Sequence, residues 1–151
     1  MSPRAACRLE RLGFSEVYDY VPGKAAWLGM GLPADGSVSD SDRAGSVARH
    51  DVPTCGPEEP VGEVRARTQG WDTCVVVDGG VVLGVLDVEG LERVEARTTA
   101  EEAMRAGPST FRPSITRREL AGWMDDQDGA RRCLLTTLDG RLVGVVRRED
   151  L

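Results

Sequence analysis

The sequence predicts a mixed α/β (α+β) fold of two consecutive small β-α-β-β-α units, preceded by a short helix-strand-helix segment. Three observations predict it. The chain repeats itself: Thr54-Cys55-Gly56-Pro57 is answered by Thr110-Phe111-Arg112-Pro113. Each copy then carries two short apolar runs joined by a glycine turn, Cys74–Leu86 around Asp78-Gly79-Gly80 and Cys133–Val146 around Asp139-Gly140. Asp-Gly or Gly-Gly between apolar runs is a strong hairpin signal. Between proline and hairpin, each copy has a stretch with apolar residues at helical spacing.

Taken in order, Ser2-Pro3 opens a helix carrying Ala5, Leu9 and Leu12, because serine caps and proline suits the first helical position. Val17–Val21 is β-branched and aromatic and predicts a strand, and Lys24–Met30 predicts a short helix around Trp27. Residues 34–50 are small, polar and acidic and predict a flexible linker between residues 1–33 and the repeats. The first copy spans 51–94, its helix built on Val61, Val64 and Trp71 and weakened by Gly62. A connecting helix and the second copy span 95–151. Thr99 with Glu102 and Thr116 with Glu119 form two capping boxes, the second opening a helix that buries Leu120, Trp123 and Met124.

Composition removes several function classes. A net charge of −6 argues against a nucleic-acid footprint, although Arg112, Arg117, Arg118, Arg131 and Arg132 leave room for a local anion site. No apolar run is long enough to span a bilayer and the N-terminus lacks a secretory pattern, so the cytoplasm is the default location. Cys7, Cys55, Cys74 and Cys133 are widely spaced beside a single histidine, His50, which gives no zinc spacing; they read as small buried hydrophobes. Asp125-Asp126-Gln127-Asp128-Gly129 lacks the alternation and the closing glutamate of a calcium loop. The glycine pairs lack the element that completes a phosphate loop, and the lone histidine gives no catalytic triad.

In the second copy, Ala103–Pro108, Thr110–Pro113 and Leu138–Leu151 together resemble a CBS domain, the module named after cystathionine β-synthase; Asp51–Leu91 resembles it more loosely. The resemblance implies a tandem CBS pair, or Bateman module, with pseudo-two-fold symmetry, a cleft on each side and assembly as a homodimer. It also implies regulatory binding of an adenosine-type ligand (AMP, ADP, ATP or S-adenosylmethionine), with no catalysis. In that family a Thr/Ser three residues after the hairpin glycine and an Asp six residues after it hold the ribose. Counting from Gly144, these positions are Arg147 and Asp150; from Gly84 they are Asp87 and Gly90.

The expected ligand-binding residues are therefore Asp150, Arg147 and Thr110, in a single cleft. Asp150 reads as a ribose acceptor or as a cap of the last turn. Arg147 reads as a bidentate phosphate donor or as a solvated charge at a strand end. Residues 2–33 resemble the C-terminal tail of a rhodanese-like sulfurtransferase domain, through Ala5–Phe14, Val17–Trp27 and Gly31-Leu32-Pro33. That resemblance implies a fragment without its catalytic cysteine, which would lie upstream of Met1; Cys7, inside a helix, does not replace it. Two other readings stand beside the ligand sensor. One is a truncated sulfurtransferase; the other is a dimerising interaction module that binds nothing in its clefts.

Overall fold

Two apolar hairpins, each flanked by short helices, set the architecture. The computed structural model describes residues 3–24, 27, 30, 32–33, 42–68, 70–127 and 130–151. In chain order its elements are α1 (Pro3–Arg11), β1 (Thr54–Cys55), α2 (Val61–Arg67), β2 (Thr73–Asp78), β3 (Val81–Asp87), α3 (Val88–Leu91), α4 (Ala100–Ala103), β4 (Arg105–Ala106), β5 (Thr110–Phe111), α5 (Arg117–Asp126), β6 (Arg132–Thr136) and β7 (Leu142–Arg147). Single 3-10 turns lie at Ala44–Val47 and Arg148–Asp150. The first sheet runs β1-β2-β3-β4 and the second β5-β6-β7. In each sheet the short leading strand lies parallel to the first hairpin strand, and the hairpin is antiparallel.

Both faces of each hairpin are covered, which is why its strands read as continuous apolar runs and not as alternating ones. Cys74, Val76 and Leu86 join Val61 and Val64 of α2 in one core; Cys133, Leu135 and Val146 join Leu120 and Met124 of α5 in another. On the opposite faces, Val75, Val85, Leu134 and Val145 pack the two sheets together. The hairpin tips are stitched as well: Val82 donates to the Gly140 carbonyl and Leu142 to the Gly80 carbonyl, both at 3.0 Å. Positive φ at Gly80 and Gly140, +87° and +80°, makes these turns. The Thr99/Glu102 and Thr116/Glu119 capping boxes form as expected, each with both reciprocal bonds.

Residues 42–50 depart from the expected linker, while residues 34–41 lie outside the described residues. Ala44 is fully buried in the core of the second copy, and its amide donates to Ile115 at 2.9 Å. Arg43 bridges to Thr116, and Arg49 bridges antiparallel to Val145. The segment 99–106 does the same for the first copy: Thr99 bridges to Pro60, Ala100 is fully buried and Arg105 pairs with Val85. Each copy is thus completed by the segment that precedes the other. Glycine is required where those segments cross. A Cβ at Gly144 would stand 2.7 Å from the Arg49 carbonyl oxygen, and one at Gly84 would stand 2.9 Å from that of Arg105.

Val17–Val21 forms no strand, because no neighbouring strand among the described residues takes up its backbone groups; Tyr18 and Val21 are almost fully exposed. The expected helix at Lys24–Met30 and the Ser2 cap fall partly outside the described residues. Trp27 organises what is described there, stacking edge-on against Tyr20 at 5.2 Å and donating to the Pro33 carbonyl at 2.7 Å. Cys55, Cys74 and Cys133 are buried, and burial pushes the Cys133 thiol up to about 12. Cys7 departs from the expectation: it lies exposed on α1. Among the described residues no helix is long and apolar enough to cross a membrane.

Candidate functional site

The pseudo-symmetry gives the two hairpins equivalent ends, and the residue six places after the buried glycine distinguishes them. In the second copy that residue is Asp150, on the 3-10 turn that follows β7. Arg117, at the start of α5, donates to the Asp150 and Leu151 carbonyls at 3.1 and 2.9 Å and ties this end down. The Asp150 carboxylate is engaged at both oxygens by Arg49, at 3.0 Å from Nε and 2.9 Å from Nη2. It also accepts weakly from the Arg147 amide at 3.4 Å, which is the capping role. The Arg49 guanidinium holds the Asp150 carboxyl below its ordinary value. Arg147 turns its guanidinium onto the Trp71 ring at 4.7 Å and meets Glu149 at 3.4 Å. Thr110 sits exposed on β5, paired with Leu134.

The structure thus brings Asp150 and Arg147 together, with the Asp150 carboxylate already engaged by Arg49 and Arg147 set against Trp71 and Glu149. Thr110 does not join them. None of the three lines the large cavity, which lies at the end of the first copy's hairpin.

That cavity is about 850 Å³. Asp87 closes β3 and enters it beside Gly90 of α3; Arg105 enters from β4; Ser109 and Arg131 enter from segments leading into β5 and β6. Val85, Leu91 and Leu134 form its apolar floor. Arg132 and Asp72 also line it but neutralise each other at 2.9 Å. Among the described residues, Asp87, Arg105 and Arg131 have no ion-pair or side-chain hydrogen-bond partner. The cavity therefore offers a carboxylate that can accept from hydroxyls and two guanidinium groups that can donate to an anion.

The Arg49–Asp150 pair gives stability a pH dependence. A carboxyl whose pKa is depressed on folding contributes stability that is complete above its unfolded value, about 4, and is lost as pH falls through the folded one. The melting temperature is expected to drop more steeply below that point in the wild type than in Asp150→Asn. Parallel acid limbs in the two melting series would contradict this. Glu119 and Asp139 are depressed too, by Thr116 and Thr137, and add acid dependence of the same sign in both proteins.

A family model for the CBS domain matches residues 44–97. No curated relative matches the chain. Among solved structures, the cytosolic domain of the Mg2+ channel MgtE in complex with ATP is similar at 26% identity, over 73% of this chain and 47% of that one, with a TM-score of 0.68. A protein described as AcuB of acetoin utilisation, from Vibrio cholerae, gives 15% identity over 72% and 85%, with a TM-score of 0.64. CBSX2 in complex with AMP gives 17% over 72% and 92%, with a TM-score of 0.63. The chain spans about half the length of the MgtE domain. The fold is that of a CBS pair. The rhodanese-like resemblance of residues 2–33 finds no support in these comparisons, and the strand it requires at 17–21 is not formed.

The start of the matched segment, at 44, agrees with the packing of Ala44. One signal could have found it: the offset relating Thr54 to Thr110 and Pro57 to Pro113 also relates Ala44 to Ala100 and Arg49 to Arg105.

Proposed function

We propose that the chain is a ligand-sensing regulatory module that binds one adenosine-type nucleotide in the cleft of Asp87, Arg105 and Arg131, without catalysis. The observation that carries this is the cavity itself. Its volume of about 850 Å³ lies within the roughly 300–1,000 Å³ common for small-molecule sites. An apolar floor suits a base, a free carboxylate suits ribose hydroxyls, and free guanidinium groups suit phosphate. The ligands named for two similar structures, ATP on the MgtE domain and AMP on CBSX2, support the ligand class. The reading moves the site away from Asp150, whose acceptors Arg49 already fills, and gives the hydroxyl contact to Asp87.

Isothermal calorimetry with AMP, ADP and ATP tests this. Saturable binding of one nucleotide per chain is expected. Losing a charged hydrogen bond costs about 1.5–3 kcal/mol, so Asp87→Ala should weaken binding by at least about tenfold. Asp150→Ala should change affinity little. Absence of heat at millimolar nucleotide, or a loss confined to Asp150→Ala, would refute the site.

A further inference from the structure

We infer that Arg105 is the residue that recognises the phosphate of an anionic ligand in the open cleft, and that Gly90 is what leaves it available. This rests on the nucleotide reading above and names the group within the site that discriminates. Arg49 and Arg105 are mates: each pairs antiparallel with the last strand of the opposite copy, at Val145 and Val85, and each lies against a buried glycine, Gly144 and Gly84. Their fates differ because of one position. Six residues after Gly144 stands Asp150, which grips Arg49 at 2.9 and 3.0 Å. Six residues after Gly84 stands Gly90, which has no side chain to offer.

A second asymmetry points the same way. Asp72 of the first copy corresponds to Arg131 of the second, and both line this cavity. Asp72 is taken by Arg132, while Arg131 and Arg105 have no ion-pair partner among the described residues. Two unpaired guanidinium groups on one cleft match the oxygens of a phosphate chain, which arginine binds as a fork. The duplicated fold thereby yields one hairpin end where the arginine is held by its own carboxylate and one where the equivalent arginine lines an open cavity, free for an anion.

Gly90 permits a clean test. It has an ordinary backbone conformation, and a Cβ there meets only the Asp87 Cβ at 3.8 Å, so larger side chains fit. Gly90→Asp supplies Arg105 with the partner Arg49 has; Gly90→Asn supplies the same shape without charge. Titrations with ADP, adenosine and inorganic pyrophosphate are expected to show ADP binding at least tenfold tighter than adenosine. Gly90→Asp and Arg105→Ala should erase that difference, and Gly90→Asn should keep it. Equal affinity for ADP and adenosine, or equal losses in the Asp and Asn variants, overturns the inference and leaves the nucleotide reading standing. Pyrophosphate binding that Gly90→Asp abolishes and Gly90→Asn retains, with no adenosine binding, supports Arg105 and overturns the nucleoside part instead. No binding of any of the three overturns both.

Discussion

Deleting residues 1–50 is expected to abolish the cooperative unfolding transition, whereas deleting residues 1–41 should leave it in place. The second copy takes part of its fold from 43–50. Ala44 and Val47 pack in its core, the Ala44 and Gly45 amides bond to Ile115 and Pro113, and Arg49 exchanges two backbone bonds with Val145. Removing the segment uncovers Leu120, Leu135 and Val146, exposes the edge of β7 and leaves Asp150 without its counter-ion. The sequence alone puts residues 34–50 in a flexible linker; the packing of Ala44 places the boundary earlier. Urea denaturation followed by circular dichroism checks this. A sharp transition with an unchanged midpoint after deletion of 1–50 would contradict it.

Leu86→Ala and Leu135→Ala should each lower the unfolding free energy by about 2–5 kcal/mol, the range for a buried leucine whose cavity collapses only partly. Leu86 on β3 and Leu135 on β6 are fully buried, one in each helix-facing core. Such a loss is a large share of the roughly 5–15 kcal/mol that holds a domain together. Leu138, 66% exposed beside the second turn, is the control; Leu138→Ala should stay within about 0.5 kcal/mol. Urea midpoints at constant slope give the comparison. Equal shifts for Leu86 and Leu138 would mean that the first core is not where the structure places it.

What could be read directly in the sequence was local. The hairpin turns at Gly80 and Gly140, the capping boxes at Thr99 and Thr116, and the buried faces of α2 and α5 depend on residues within a few positions of one another and are found, except that Trp71 lies beyond the end of α2 and packs against the sheets. What could not be read was carried by distant partners. Ala44-Gly45-Ser46 looks like linker because its residues are small and its helix is one 3-10 turn; only its place against Pro113 and Ile115 makes it core. Val17–Val21 fails in the opposite direction, with strand-forming residues but no strand to pair with. The surroundings of the candidate site residues were hidden for the same reason. Asp150 retains the side chain a ribose contact needs, but whether that side chain is free is decided by Arg49, 101 residues away in the chain. Asp87 drew no weight in the sequence because Gly90 stands at the carboxylate position three residues on; the structure puts both on the wall of the cavity.

Amide chemical-shift mapping with ADP tests most directly the claim that, of two pseudo-symmetric hairpin ends, one receives a ligand and the other has its arginine held by its own carboxylate. Asp87, Gly90, Arg105 and Arg131 are expected to shift together and saturate with one ADP per chain, while Arg49, Arg147 and Asp150 hold still. Shifts centred on Arg49 and Asp150, or no shifts at millimolar ADP, would contradict it.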